Sequence, residues 1–211
     1  MRSALPCLIA CLAAAPASAR SGADPCDLVE RPGWRAALAA GEARWGVSPG
    51  TVLAVLDQES SLRANARGAG AVGADPVRNY GYAQANGRTW AAFERAVGVR
   101  AARTNFAASV QFVGWYFAET QRLNRVPPGA IADHYLAYKL GHGGFARGGG
   151  SPAARQVAAR VAASARAFDR RLETCPGRAA PPPAQPISAA DEAQAKADAA
   201  LPPLAPPPST P

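Results

Sequence analysis

Ser48-Pro49-Gly50-Thr51-Val52-Leu53-Ala54-Val55-Leu56-Asp57-Gln58-Glu59-Ser60-Ser61 reads as one helix with an acid at its inner end. Serine followed by proline supplies an N-cap and a first helical residue whose φ is already set. Val52, Val55 and Leu56 then recur at helical spacing. Glu59 continues their stripe, at i+3 from Leu56 and i+4 from Val55. A carboxyl therefore turns inward at the end of a buried face. Burial favours the protonated form of a carboxyl, and an acid kept neutral near pH 7 can work as a general acid. The plainer alternative is an acidic residue that marks a helix boundary.

The flanking sequence is helical as well. Gly33 to Trp45 forms a helix with Trp34, Leu38 and Trp45 as packing residues, ended by Gly46-Val47. Arg63 to Asn79 is rich in Gly, Ala and Arg, and Asp75-Pro76 is a turn signal, so this stretch reads as a loop. Tyr80 to Arg88 is aromatic and punctuated by glycine, and no element is assigned to it. Thr89 caps a helix that runs to about Val97, with Gly98 as its stop. Asn105 to Asn124 carries the strongest pattern: Phe106, Val110, Val113, Phe117 and Gln121 trace one stripe, widened by Phe112 and Tyr116. Pro127-Pro128 precedes a helix over about Ala130 to Leu140, and Gly141 to Gly150 is a glycine-rich connection. Ser151-Pro152 repeats the cap signal and opens a last helix that ends at Cys175, with Val157, Val161, Phe168 and Leu172 near one face. The folded unit is expected to be all-α, with long loops and no internal repeat.

Outside that unit the composition changes. Arg2 followed by the apolar run Leu5 to Ala15 and by Ala17-Ser18-Ala19 reads as a secretory signal over residues 1–19, cleaved after Ala19. The run is too short to span a bilayer. Leu8-Ile9-Ala10-Cys11 also has the pattern of a lipoprotein signal, so a lipid anchor on Cys11 is the alternative to soluble export. The predicted domain covers residues 20–177. Residues 178–211, with Pro181-Pro182-Pro183 and Pro206-Pro207-Pro208, hold too few large apolar side chains to offset the entropy of ordering, and disorder is expected there.

Export gives the cysteines a meaning. With Cys7 and Cys11 in the leader, Cys26 and Cys175 remain, one at each edge of the domain. In an oxidising compartment their simplest fate is one disulfide, with two free thiols as the alternative. Two distant cysteines and two histidines make no zinc spacing, so no metal and no cofactor is expected. The formal net charge is +8, and 19 basic against 11 acidic side chains lie between Cys26 and Cys175. The arginines are scattered, which argues against nucleic acid as a partner. Anionic envelope polymers suit the net sign better, though a solubilising surface accounts for it equally.

Three segments carry chemistry together. They are Gln58-Glu59-Ser60-Ser61-Leu62, Tyr80-Gly81-Tyr82-Ala83-Gln84 and Leu136-Ala137-Tyr138-Lys139-Leu140-Gly141-His142-Gly143-Gly144. In this order, within an exported helical domain, they resemble the soluble-lytic-transglycosylase (SLT) domain of the lysozyme superfamily. That family has a Glu-Ser pair at a helix end, a Gly-x-x-Gln turn and an Ala-Tyr-Asn-x-Gly segment. The resemblance runs from Trp34 to about Leu172 and looks closest to a subgroup of small bacterial envelope proteins with a Tyr-Gly-Tyr-Ala-Gln segment and terminal cysteines.

The resemblance implies a lysozyme-like fold around a glycan groove, and cleavage of peptidoglycan strands between N-acetylmuramic acid (MurNAc) and N-acetylglucosamine (GlcNAc) with a 1,6-anhydro product. It implies one catalytic glutamate, Glu59, acting without metal, and a monomer in the periplasm. If Cys11 is lipidated, an outer-membrane lipoprotein is implied instead. Ser60, Gly81, Tyr82, Gln84 and Tyr138 become substrate-binding candidates. Each has a structural alternative. Ser60 can simply bond its own helix, Gln84 can be a solvated loop residue, and Tyr82 or Tyr138 can be core tyrosines. His142 is a further sugar or peptide candidate, though a lone histidine is more often structural. Ordinary glycosidases use two carboxyls. Asp57 is expected to point to another side of the helix than Glu59, and spacing leaves Asp75 open. The sequence departs from the family pattern at Lys139, in place of Asn, and at Ala83, in place of Met. A lysine turned toward Glu59 would favour its charged form. The rival readings are a muramidase that uses water as acceptor and a non-catalytic peptidoglycan-binding or scaffold protein.

Overall fold

The computed structural model describes residues 21–68 and 79–175. The leader with Cys7 and Cys11, Asp75 and the tail at 178–211 lie outside the described residues. Among the described residues eight helices follow one another: α1 (Pro25–Val29), α2 (Trp34–Trp45), α3 (Pro49–Ser60), α4 (Gly87–Val97), α5 (Phe106–Asn124), α6 (Ile131–Leu140), α7 (His142–Ala146) and α8 (Pro152–Glu173). Isolated bridges from Tyr80 to Arg67 and to Ala85 are the β pairing seen there. The fold is all-α, as expected, and lysozyme-like.

Helix α3 is the core helix. Gly50 through Asp57 are all buried, as is Ser60. A helix that is buried on nearly every side has no wet face to give it amphipathic character. Its start is built from two places in the chain. Ser48 accepts from Thr51 N at 3.2 Å. Asp169, in α8, accepts from the Ser48 hydroxyl and from Gly50 N, both at 2.7 Å. A Cβ on Gly50 would stand 2.5 Å from the Asp169 backbone nitrogen and 2.4 Å from its Oδ1. Glycine is therefore what lets α8 close on α3. Gly50→Ala is expected to cost about 1–3 kcal/mol by overpacking. At this chain length that lowers Tm by roughly 2–4 °C per kcal/mol, readable by calorimetry.

Helix α5 packs on α2 in the same manner. Val110 fills the space a Cβ on Gly41 would take, and Trp45 lies against Gly114. The Trp45 indole donates to Gln111 Oε1 at 2.7 Å. Phe106, Val110, Val113 and Phe117 are buried as their spacing predicts, and Thr120, also buried, continues the line where Gln121 does not. Cys26 and Cys175 form a disulfide with Cα atoms 5.4 Å apart, across 149 residues of sequence. Beside it Arg171 pairs with Asp24 at 2.8 Å, and this hydrogen bond holds the Asp24 carboxyl below the usual carboxylate range.

Helix α1 precedes the helices read from the sequence, with the Asp24 side chain accepting from Cys26 N at its start. Two local expectations are corrected. The cap of α4 is Asn86, not Thr89. Its Oδ1 accepts from both the backbone and the hydroxyl of Thr89, which sits inside the first turn. The glycine-rich stretch after Leu140 contains a short helix, α7.

Candidate active site

Glu59 stands one residue before the C-terminus of α3, and its side chain is 7 % exposed. It lines a cavity of about 320 Å³. Both of its carboxyl oxygens are engaged from α6. The Tyr135 hydroxyl donates to Oε1 at 2.6 Å, and Lys139 Nζ lies 3.5 Å from Oε2. Tyr135 and Lys139 are four residues apart on one helix, so they lie one turn apart on the same face. Tyr135 is 1 % exposed, whereas half of the Lys139 side chain is in solvent. The acid is thus held by a short, buried arm on one side and by a long, wet one on the other.

The opposing wall is the turn at 79–86. Gln84 sits there with φ 47°, in the left-handed region, held by two hydrogen bonds from its own side-chain nitrogen. Those bonds run to Ala66 O at 2.9 Å and Gly81 O at 2.8 Å. With the nitrogen committed to backbone carbonyls, the amide oxygen is the end left to accept a donor. Asn79, Asn86 and Thr89 add neutral polar groups to the lining, and Phe112, Tyr116 and Tyr138 add apolar surface. Among the described residues Glu59 is the one acidic group and Lys139 the one cationic group that line the cavity.

Tyr138 connects the two walls. Its hydroxyl donates to Ala83 O at 2.5 Å. Burial first, then the charge of Glu59 and the neighbouring phenols, pushes its pKa well above the ordinary tyrosine value. Tyr138 therefore stays a neutral donor at any physiological pH. Burial likewise raises Tyr116 to about 12. Tyr116 stacks on His142 with ring centroids 4.3 Å apart, and the His142 Nε2 lies 3.0 Å from the Thr120 hydroxyl. Burial lowers the pKa of this imidazole. His142 packs behind the site and is not among the lining residues.

Of the residues singled out from sequence, Glu59, Gln84, Tyr138 and Lys139 share the cavity. The others lie elsewhere. Ser60 is buried and donates to Leu56 O at 2.9 Å, one turn back along its own helix. Tyr82 makes edge contacts with Trp34 and Phe106, which stack on each other at 3.6 Å. Gly81, with φ 82°, passes so close to Arg103 that a Cβ would lie 2.0 Å from its carbonyl oxygen. Gly81 and Tyr82 belong to the turn that carries Gln84, Ser60 belongs to the end of α3, and none of the three is in the lining. Asp57 is buried and accepts from Ser21 N at 2.8 Å, away from the cavity lining. Tyr135 is the contact that the sequence reading missed. Its position four residues before Lys139 and three before Tyr138, on one helix face, was the available signal.

Tyr135→Phe keeps the ring and removes one donor to a carboxylate, an interaction worth about 1.5–3 kcal/mol. If Glu59 performs the chemistry, kcat should fall about tenfold or more with little change in KM, since 1.4 kcal/mol is a factor of ten. Steady-state kinetics on soluble glycan fragments reads the split.

Among the described residues one carboxyl, at the end of a core helix, shares the cavity with amides and phenols on an all-helical scaffold. The family model for the transglycosylase SLT domain matches residues 2–175. The chain belongs to that family, whose transglycosylase-type domains act on peptidoglycan. No curated protein matches the chain at a significant level. Among the described residues no helix is long and apolar enough to cross a membrane.

Proposed function

We propose that this protein is a lytic transglycosylase that cuts peptidoglycan between MurNAc and GlcNAc and leaves 1,6-anhydro-MurNAc ends. The observation that carries the reading is Glu59, fixed by Tyr135 and set in the cavity wall as its one acidic group among the described residues. Protonated Glu59 gives its proton to the glycosidic oxygen as the C1–O bond breaks. The resulting carboxylate takes the proton of the muramoyl C6 hydroxyl, whose oxygen closes on C1. One carboxyl serves both steps, and it ends protonated as it began. General acid–base catalysis of this kind asks for a group within hydrogen-bond reach of the proton it moves.

Gln84 and Tyr138 position the sugar. The Gln84 amide oxygen suits the N–H of an acetamido group, and Tyr138 lines the cleft beside it. Ser60, Gly81 and Tyr82 contribute by holding the helix end and the turn in register. The disulfide and the leader-like first residues support action in the periplasm; the proposed reaction is that of a monomer and uses no metal or cofactor.

Mature protein incubated with purified sacculi provides the test, read by mass spectrometry of the soluble fragments. Anhydro ends, one water lighter than reducing ends, are the expected product. Reducing ends alone would make the protein a muramidase. Binding to sacculi with no fragments released would make it a peptidoglycan-binding protein.

A further inference from the structure

Each oxygen of Glu59 has one partner, so a substrate oxygen approaches the carboxyl beside one of them or in its place. The two partners are unequal. Tyr135 is buried and bonds at 2.6 Å. Lys139 is half exposed and stands at 3.5 Å, a loose contact for a charge-assisted bond. Of the two, Lys139 is the arm with freedom to yield. Half in solvent, the Lys139 ammonium can turn from Glu59 to an anion that the substrate brings. Among the described residues the rest of the lining offers no anion: Asn79, Gln84, Asn86 and Thr89 are neutral.

We infer that Lys139 is a specificity residue that exchanges Glu59 for a carboxylate carried by the muramoyl residue, so that the cleft favours strands whose lactyl carboxylate is free over strands in which it is amidated. The inference rests on the reading of the cavity as a MurNAc-GlcNAc site. A free lactyl group puts one negative charge on the sugar beside the scissile bond, within the reach of a four-carbon side chain. An amidated lactyl group removes that charge and gives Lys139 no reason to leave.

The experiment uses full-length mature protein and two forms of one GlcNAc-MurNAc tetrasaccharide, with lactyl carboxylates free or converted to primary amides. Binding is measured by calorimetry in the Glu59→Gln background, where no turnover consumes the ligand. Steady-state kcat/KM is measured in the wild type. The carboxylate form should bind about tenfold tighter than the amide form, the scale of one hydrogen bond to a charged group. Lys139→Gln should remove that gap while leaving the affinity for the amide form within about twofold, and the wild-type kcat/KM ratio should follow the same order. Equal affinity for the two forms, or a gap that survives Lys139→Gln, overturns the inference and leaves the site reading intact. Failure of both forms to bind overturns the site reading and the inference together. Far-UV circular dichroism on each variant establishes that the folded state is the one measured.

Discussion

Glu59→Gln is expected to reduce glycan cleavage by about 10³- to 10⁴-fold, the upper range for loss of a positioned general acid–base. The substitution keeps the side chain's size and its place in the wall. Gln can still accept the Tyr135 hydroxyl at its remaining oxygen, so the local packing has no reason to change. What it cannot do is release and retrieve a proton. The loss should therefore fall on kcat, with binding of sacculi preserved. Turnover close to that of the wild type would remove Glu59 from the mechanism and leave the cavity without an acid among its described lining residues. A variant that neither cleaves nor binds, yet melts as the wild type does, would mean that the carboxylate holds substrate rather than moving a proton.

Removal of the Cys26–Cys175 bond is expected to have the largest effect on stability. It closes a loop of 149 residues, and for that length the chain-entropy model assigns about 4–5 kcal/mol to the constraint on the unfolded chain. For a protein of this size that corresponds to a fall in Tm of roughly 8–20 °C. Cys26→Ser with Cys175→Ser, compared with the oxidised protein by calorimetry, reads the difference. The bond should first be shown to exist by mass spectrometry without reductant. Cleavage below the new melting point should survive, because no residue lining the cavity lies in α1 or α8. The Asp24–Arg171 pair remains at the same corner, but both partners are exposed, and pairs of that kind contribute little. An unchanged Tm would mean that the ends of the domain are already held by packing.

The helices that were legible are those whose local signals agree. Ser48-Pro49 and Ser151-Pro152 announce α3 and α8, and in both the serine accepts a backbone N–H as expected. The stripe of α5 is long enough for periodicity to be decisive. Helices α1 and α7 have five residues each, too few for a period to show. The start of α4 was read late because Gly87 and Arg88 carry no apolar signal, while Asn86 and Thr89 are both good caps. The choice between them is made by which side chain reaches which N–H. Within the site, Glu59 was visible because the helix period carries it inward. Gln84 and Tyr138 were visible by resemblance. Tyr135 was hidden in an ordinary apolar stretch, and Ser60 turned to its own helix, a local bond that competes with any role in the cleft.

From the chain alone followed an all-helical domain between two cysteines, with an acid at the inner end of an apolar helix. These follow from local physics: period, caps, and the cost of burying a carboxyl. Which groups meet that acid was decided only in three dimensions. Tyr135 and Lys139 come to Glu59 from about 80 residues away, and Asp169 reaches α3 across 121 residues to hold the helix start. Contacts of that range depend on how helices pack, and packing depends on glycines such as Gly50 and Gly114, whose significance lies in the neighbour that fills the missing side chain's place.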